Sequence, residues 1–254
     1  MAPNLFHSVF TASENQMKHR LDHLLVQKGL VTTRSQAESW IKLGKVTVDG
    51  EKVTKPGYFA REDSDIKLTA KERYVSRAGL KLASVARVLG VDFKGAVVLD
   101  VGSSTGGFTD YALQNGAKLV YAVDVGTDQL HPTLRRDTRV KLFEKTDIRD
   151  FVPRTIPDAV VMDVSFISLR EILPHIADIS GPNTRIVAMV KPQFEAGKHQ
   201  VTKGVIKNDT VRRQVLKDFE VWARQRFIIQ DKADSEVAGA KGNRERFYLL
   251  QTTA

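Results

Sequence analysis

Residues Ala96 to Asp110 read AVVLDVGSSTGGFTD. The apolar run Val97 to Val101 suits a parallel strand covered on both faces. Gly102, Gly106 and Gly107, interleaved with Ser103, Ser104 and Thr105, form a loop of small residues, and a helix starts behind it. Glycines let a backbone approach a ligand closely, and hydroxyls with free N–H groups bind its polar parts. The pattern predicts a nucleotide-type site at the carboxyl end of the first strand of a doubly wound α/β sheet. A dinucleotide loop would read G-x-G-x-x-G, and a phosphate-binding P-loop would end in Gly-Lys-Ser or Gly-Lys-Thr. This loop fits neither. Asp100 stands two residues before the first glycine, where it suits a cationic ligand and repels a polyphosphate.

Outward from this stretch the pattern alternates strand and helix. Strands are expected at Leu119 to Val125, Val140 to Glu144, Ala159 to Val164 and Ile186 to Val190, which together call for a parallel sheet with right-handed crossovers. A helix is expected over Thr210 to Gln225, then strands at Phe227 to Gln230 and Arg246 to Gln251. Asp124, at the end of the second strand, is placed to bind ribose hydroxyls. Asp147 follows the third strand and is assigned to the same ligand. Before the sheet, Ser76 is expected to cap a helix from Arg77 to Leu89.

The first part of the chain is a separate, basic module. The chain has 254 residues, a net charge of +9 and no cysteine. From Lys18 to Lys81 it carries 14 Lys/Arg against 8 Asp/Glu, the footprint of a polyanion binder. Leu21, Leu24, Leu25 and Val26 recur at helical spacing. Thr33 or Ser35 is expected to cap a second helix carrying Ala37, Trp40 and Ile41. KVTVDGEKV then predicts a hairpin around Asp49-Gly50, and Ser64 to Leu68 a closing strand. Residues 1–17 are expected as a flexible extension, 18–70 as the basic α+β module, 71–80 as a linker and 81–254 as the α/β domain. Without cysteine there is no disulfide, thiolate metal site or cysteine nucleophile, and a reducing, cytoplasmic setting suits the composition. No apolar run reaches the roughly 18 residues of a membrane span. His175 and His199 lack partners at ligand spacing, so no metal is expected.

Several strings carry family resemblances. The glycine loop resembles that of S-adenosylmethionine-dependent methyltransferases, which implies a donor held by Asp100, Gly102, Ser103, Ser104, Thr105, Gly106, Gly107, Phe108, Asp124, Asp147 and Asp163. R-L-D-x-L-L-V-x-x-G-L-x-x-x-R-x-x-A, from Arg20 to Ala37, with K-V-x-V-D-G after it, resembles the RNA-binding domain of small-subunit ribosomal protein four. That resemblance and the charge make Lys18, Arg20, Arg34, Lys42, Lys45 and Arg77 candidate RNA contacts. Lys81, Asp163, Lys191 and Glu245 resemble the catalytic tetrad of FtsJ-like 2′-O-methyltransferases. Strand carboxyl ends line the crevice of such a sheet, so Asp163 and Lys191 should face the loop. A ribose hydroxyl must be placed about 3 Å from the methyl and must lose its proton. Lys191 is the group expected to orient that oxygen or take the proton, with the two carboxylates holding the lysines.

With SRAGLKL, FISLR, KPQFE and GAKGNRERF, the chain resembles the hemolysin-A-type (TlyA) family of ribosomal RNA 2′-O-methyltransferases over about Lys18 to Leu250. The resemblance implies methylation of cytidine in the RNA of ribosomal subunits by a Rossmann-like domain; the chain is expected as a monomer. Two alternatives belong to other classes: a membrane-active hemolysin, and a non-catalytic ribosome-assembly factor.

Overall fold

The computed structural model describes residues 18–31, 34–42, 44–69, 74–197, 201, 204–206, 208–237, 239 and 242–253. The expected extension at 1–17, Thr33, His199 and the side chains of Ser35 and Lys42 lie outside the described residues. The chain divides into two compact units, Met1–Lys71 and Glu72–Ala254.

The first unit begins with β1 (Lys18–Arg20), which the sequence pattern did not predict, followed by α1 (Leu21–Gln27) and α2 (Arg34–Lys42). Strands β2 (Val46–Val48) and β3 (Glu51–Val53) form the expected hairpin, with Asp49 at φ 51° and Gly50 at φ 85°. Positive φ at both central residues matches the turn's twist to that of the strands. Strand β4 (Phe59–Arg61) pairs with β1, and β5 (Ile66–Leu68) pairs with β2. Leu21, Leu24, Leu25, Ala37, Trp40, Ile41 and Val46 fill the core.

Among these apolar side chains lies one carboxylate. Asp22 is wholly buried and accepts from Arg20 at 3.0 and 2.8 Å and from Arg34 at 2.9 Å. Burial alone would raise its pKa, but the two guanidinium groups win and hold it at about 2. Two of the candidate RNA-contacting arginines are therefore anchored by a carboxylate beneath them, with 40% and 51% of their side chains exposed. The gap from an ordinary aspartate is worth about 2.6 kcal/mol, and solvent around the half-exposed arginines reduces it to roughly 1–2 kcal/mol. A depressed carboxylate pKa means this stability is present above pH ~4 and lost as pH falls through about 2. Asp22→Asn is expected to melt the first unit earlier at pH 7, and by much less at pH 2. Calorimetry at the two pH values checks this, and an equal loss at both would refute it.

The second unit starts with α3 (Arg77–Ala86), three residues shorter than expected. Ser76 holds its N-cap position, yet its hydroxyl makes no cap bond. Of the stretch expected as linker, Tyr74 is buried against Tyr111, with ring centroids 5.4 Å apart, and the Val75 N–H donates to Asp110 at 2.8 Å. Next come β6 (Val97–Val101), α4 (Gly107–Gln114), β7 (Leu119–Val123), α5 (Pro132–Arg135), β8 (Val140–Phe143) and a 3₁₀ turn at Ile148–Asp150. Strand β9 (Ala159–Met162), α6 (Leu169–Asp178), β10 (Arg185–Val190), α7 (Pro192–Glu195), α8 (Asp209–Ala223), β11 (Phe227–Asp234) and β12 (Arg246–Thr252) complete it.

The seven strands lie in the order β11-β12-β10-β9-β6-β7-β8. Strands β8 to β10 are parallel, while β12 runs antiparallel between β10 and β11. This is an α/β, Rossmann-like, mostly parallel sheet. Strands β6 and β9 are buried along their whole length, as their unbroken apolar runs require. The order in which strands are added reverses between the parallel neighbours β6 and β9, so a crevice opens at their carboxyl ends. Strands β7 and β9 stop at Val123 and Met162, two residues earlier than expected. Asp124 and Asp163 follow those ends at the crevice, where their N–H groups still donate to the carbonyls of Phe143 and Val101, each at 3.0 Å.

Candidate active site

Two neighbouring cavities occupy that crevice. The larger, of about 380 Å³, runs from Gly102 and Ser104 past Asp124 to Asp147 and Ile148, and is bounded by Ile167 and Phe166. The smaller, of about 160 Å³, is lined by Ser76, Asp100, Ser103, Thr105, Phe108 and Lys191. Gly102, Ser104, Asp163 and Ser165 border both. Of the expected ligand residues, all but Gly106 and Gly107 line one cavity or the other; those two face, respectively, Leu130 and Leu134, and Ser76 and Ala78 at the start of α3.

The loop is shaped by close approaches. Gly102 stands at φ 79°, and a Cβ there would lie 2.8 Å from the Asp163 carbonyl oxygen. A side chain would force apart β6 and β9 where the crevice begins. Gly106 precedes α4, and Gly107 is its first residue. Phe108 is buried and packs on Phe247 at 6.1 Å. Asp124 receives the N–H of Ser104 at 2.8 Å and that of Gly126 at 2.7 Å, which ties the loop to the end of β7. Asp147 is held by Arg149 at 3.0 and 2.6 Å, chiefly by that hydrogen-bonded guanidinium, and its pKa is lowered to about 2. It stays ionised at the far wall.

Asp100 is the opposite case. It is wholly buried, and burial pushes its carboxyl up to about 7; Asp163 and Asp124 push the same way, while the Thr109 hydroxyl opposes them. That hydroxyl donates to Oδ2 at 2.6 Å, but Oδ1 has no partner. The buried Ser103 hydroxyl is also without a partner. Buried polar atoms are normally satisfied, and these two belong to residues lining the smaller cavity. An amino-acid head with a cationic amine supplies what they lack. With the glycine cradle and Asp124 beyond it, the residues present fit S-adenosylmethionine.

The four candidate reactive residues form two ion pairs. Lys191 Nζ lies 2.6 Å from Asp163 Oδ1 and donates to Ser165 Oγ at 2.8 Å. Lys81 Nζ lies 2.5 Å from Glu245 Oε2. The second pair is the deeper, with only 12% and 3% of its side chains exposed. Oε2 completes no well-aligned hydrogen bond, so this contact is mainly electrostatic. Arg77, a candidate RNA contact, is half-buried within the field of Glu245; burial lowers its pKa and Glu245 opposes that. Lys18 and Lys45 are exposed on the first unit. His175 bonds the Phe151 carbonyl at 2.8 Å. No group of three or more histidine and acidic residues able to hold a metal occurs among the described residues.

The structure adds residues that the sequence reading left without a role. Ser165 is the second anchor of Lys191 and lies two residues after Asp163. Glu195, last of the KPQFE string, accepts from Ser168 Oγ and Leu169 N–H, both at 2.7 Å, at the start of α6. It therefore fixes the turn carrying Lys191 to the helix behind Asp163. Phe166, at φ 66° and 90% exposed, packs on Phe194 at 5.2 Å on the rim of the larger cavity.

This sheet, its glycine loop and the two lysine–carboxylate pairs define a methyltransferase of the FtsJ-like class. The FtsJ-like methyltransferase model matches residues 74–252, and the S4 domain model residues 19–66. The 16S/23S rRNA (cytidine-2′-O)-methyltransferase TlyA of Mycobacterium tuberculosis is 37% identical, with 92% of this chain and 90% of that protein covered. Hemolysin A of Brachyspira hyodysenteriae is 38% identical over 89% of this chain and 97% of its own. A solved structure from Streptococcus thermophilus, described as a hemolysin, superposes with a TM-score of 0.74 at 41% identity, over 93% of this chain and 89% of that one. The chain belongs to the TlyA family.

Proposed function

We propose that this methyltransferase moves the methyl group of S-adenosylmethionine to the 2′-hydroxyl of cytidine ribose in ribosomal RNA, in the cytoplasm. The observation that carries the reading is Lys191, which lines the smaller cavity with its Nζ in the grip of Asp163 and Ser165. When bound, S-adenosylmethionine supplies an electrophilic methyl on a cationic sulfur. The chain has to present an oxygen to it. Lys191 Nζ donates to the incoming hydroxyl oxygen and fixes its direction, an effect worth several powers of ten in rate when the geometry is held. The Lys191–Asp163 pair receives the hydroxyl proton as the new bond forms. Lys81 and Glu245 hold α3 against the start of β12 in the second unit, which preserves that geometry. The first unit supplies phosphate contacts through Lys18, Arg20, Arg34, Lys42 and Lys45, which position RNA without reading its sequence.

No helix among the described residues is long and apolar enough to cross a membrane, and no observation favours a lytic role. Incubating purified ribosomal subunits with labelled donor, then mapping the label, tests the reading. Label is expected on a ribose 2′-oxygen of cytidine. Unlabelled intact subunits together with unlabelled free ribosomal RNA would overturn it.

A further inference from the structure

In the first unit, β1 and β4 form a two-stranded ribbon with Lys18 opposite Arg61, His19 opposite Ala60 and Arg20 opposite Phe59. Side chains alternate across such a ribbon. Ala60 is buried with the core and is 3% exposed, so its pair faces inward. Lys18, Arg20, Phe59 and Arg61 share the other face. Phe59 is 56% exposed there. Tyr58, beside it, is 43% exposed and closes a Pro56-Gly57 turn by donating its N–H to the Lys55 carbonyl at 3.0 Å. These two rings are the large apolar side chains exposed on this unit among the described residues.

Cations surround them. The Arg20 guanidinium lies over Gly57, where a Cβ would sit 3.6 Å from Nη1, and Asp22 fixes its other nitrogens. Arg61 has Asp63 at 3.7 Å, with both side chains more than half exposed, a contact of little energetic weight. Lys18 and Lys55 are exposed. Rings flanked by cations on an exposed ribbon match single-stranded nucleic acid, in which base faces alternate with phosphates. A protein partner would call for a wider apolar patch and fewer like charges.

We propose that this ribbon face is a stacking platform for unpaired bases of ribosomal RNA, with Phe59 against a base face, Lys18 and Arg61 on the flanking phosphates, and Tyr58 a second exposed ring at its edge in the Pro56-Gly57 turn. It rests on the reading that ribosomal RNA is the substrate. Stacking holds a base whatever its identity, so the platform contributes affinity and register, and the choice of nucleotide stays with the α/β unit.

The test is binding of the full-length protein to deproteinised ribosomal RNA over a range of salt. Phe59→Ala is expected to weaken binding about tenfold, and Tyr58→Ala with Phe59→Ala further. The slope of log affinity against log salt should stay the same, because no phosphate contact is lost. Lys18→Ala should instead flatten that slope by about one. Phe59→Trp should restore affinity. In methyl transfer the ring variants should raise KM for RNA and leave kcat unchanged, and their melting should match wild type because both sites are exposed. Wild-type affinity in the double variant would overturn the platform, as would a changed salt slope or no rescue by Trp. A loss seen with intact subunits but not with deproteinised RNA would assign the face to a ribosomal protein instead. In each of these cases wild type still methylates RNA. If wild type neither binds nor methylates ribosomal RNA, the functional reading itself fails, and the platform with it.

Discussion

Lys191→Ala is expected to lower the methyl-transfer rate about a thousandfold while leaving affinity for RNA and donor within about twofold. General acid–base groups contribute roughly 10² to 10⁴ in rate, and a misplaced nucleophile costs a comparable factor. Lys191 sits where both effects meet. Its Nζ is fixed at 2.6 Å by Asp163 and at 2.8 Å by Ser165, with 11% of the side chain exposed. The side chain leaves the end of β10, so its removal does not touch the glycine loop. The pair is partly open, with Asp163 at 17% exposure, and the carboxylate left behind keeps access to water. Glu245→Ala would be a poorer test. It strands Lys81 in a pair that is almost fully enclosed, and breaking such a pair destabilises the fold by about 3–5 kcal/mol. Single-turnover methylation with saturating RNA, alongside direct measurement of both affinities, decides the matter. A rate within tenfold of wild type would remove Lys191 from the chemistry. Ser165→Ala should cost less, because Asp163 still holds the ammonium.

Much of this site is legible in the sequence because strand ends and small-residue loops leave strong local marks. Val97–Val101 appears as an unbroken apolar run because both of its faces are covered. Asp100, Asp124, Asp163 and Lys191 all stand at the carboxyl ends of such runs, so the order of strands alone brings them to one crevice. The Asp49-Gly50 turn is equally local. What escapes the sequence depends on contacts between distant segments. The three-residue strands β1 and β4 are too short to show a period, and only their pairing across some forty residues makes a ribbon. Helix α6 contains Pro174, which argues against a helix, although Leu169, Ile172, Leu173 and Ile176 keep helical spacing and are all buried. The partners of the lysines were not readable either. Lys81 and Glu245 are far apart in the chain, and spacing cannot tell which carboxylate meets which ammonium. Arg77 reads as a candidate RNA contact because it lies in a basic stretch, and only the return of β12 places Glu245 close enough to change its surroundings.

Asp100 gives the site a pH dependence that runs in opposite directions for stability and for donor binding. Its carboxyl is pushed from an ordinary value near 4 to about 7, mainly by burial, a difference worth on the order of 4 kcal/mol. A raised carboxyl pKa means the folded protein holds a proton that the unfolded chain has released. The ligand-free protein should therefore lose stability as pH rises from about 4 to about 7, with no further loss from this group above that. Asp100→Asn removes the dependence and should make the ligand-free protein more stable than wild type at pH 8. Binding works the other way. A cationic amine beside Oδ1 favours the ionised carboxylate, so below pH 7 the ligand must displace a proton. Affinity for S-adenosylhomocysteine, which keeps that amine and cannot react, should weaken about tenfold for each pH unit below about 7 and level off above it. In Asp100→Asn it should be weaker at pH 8 and nearly flat. Calorimetry in buffers of different ionisation enthalpy would count the released proton directly. A flat affinity profile in wild type, or the same slope in the asparagine variant, would show that Asp100 does not meet the amine. The unpartnered Oδ1 would then have to be met by water, and the cradle would owe its ligand preference to its glycines and to Asp124.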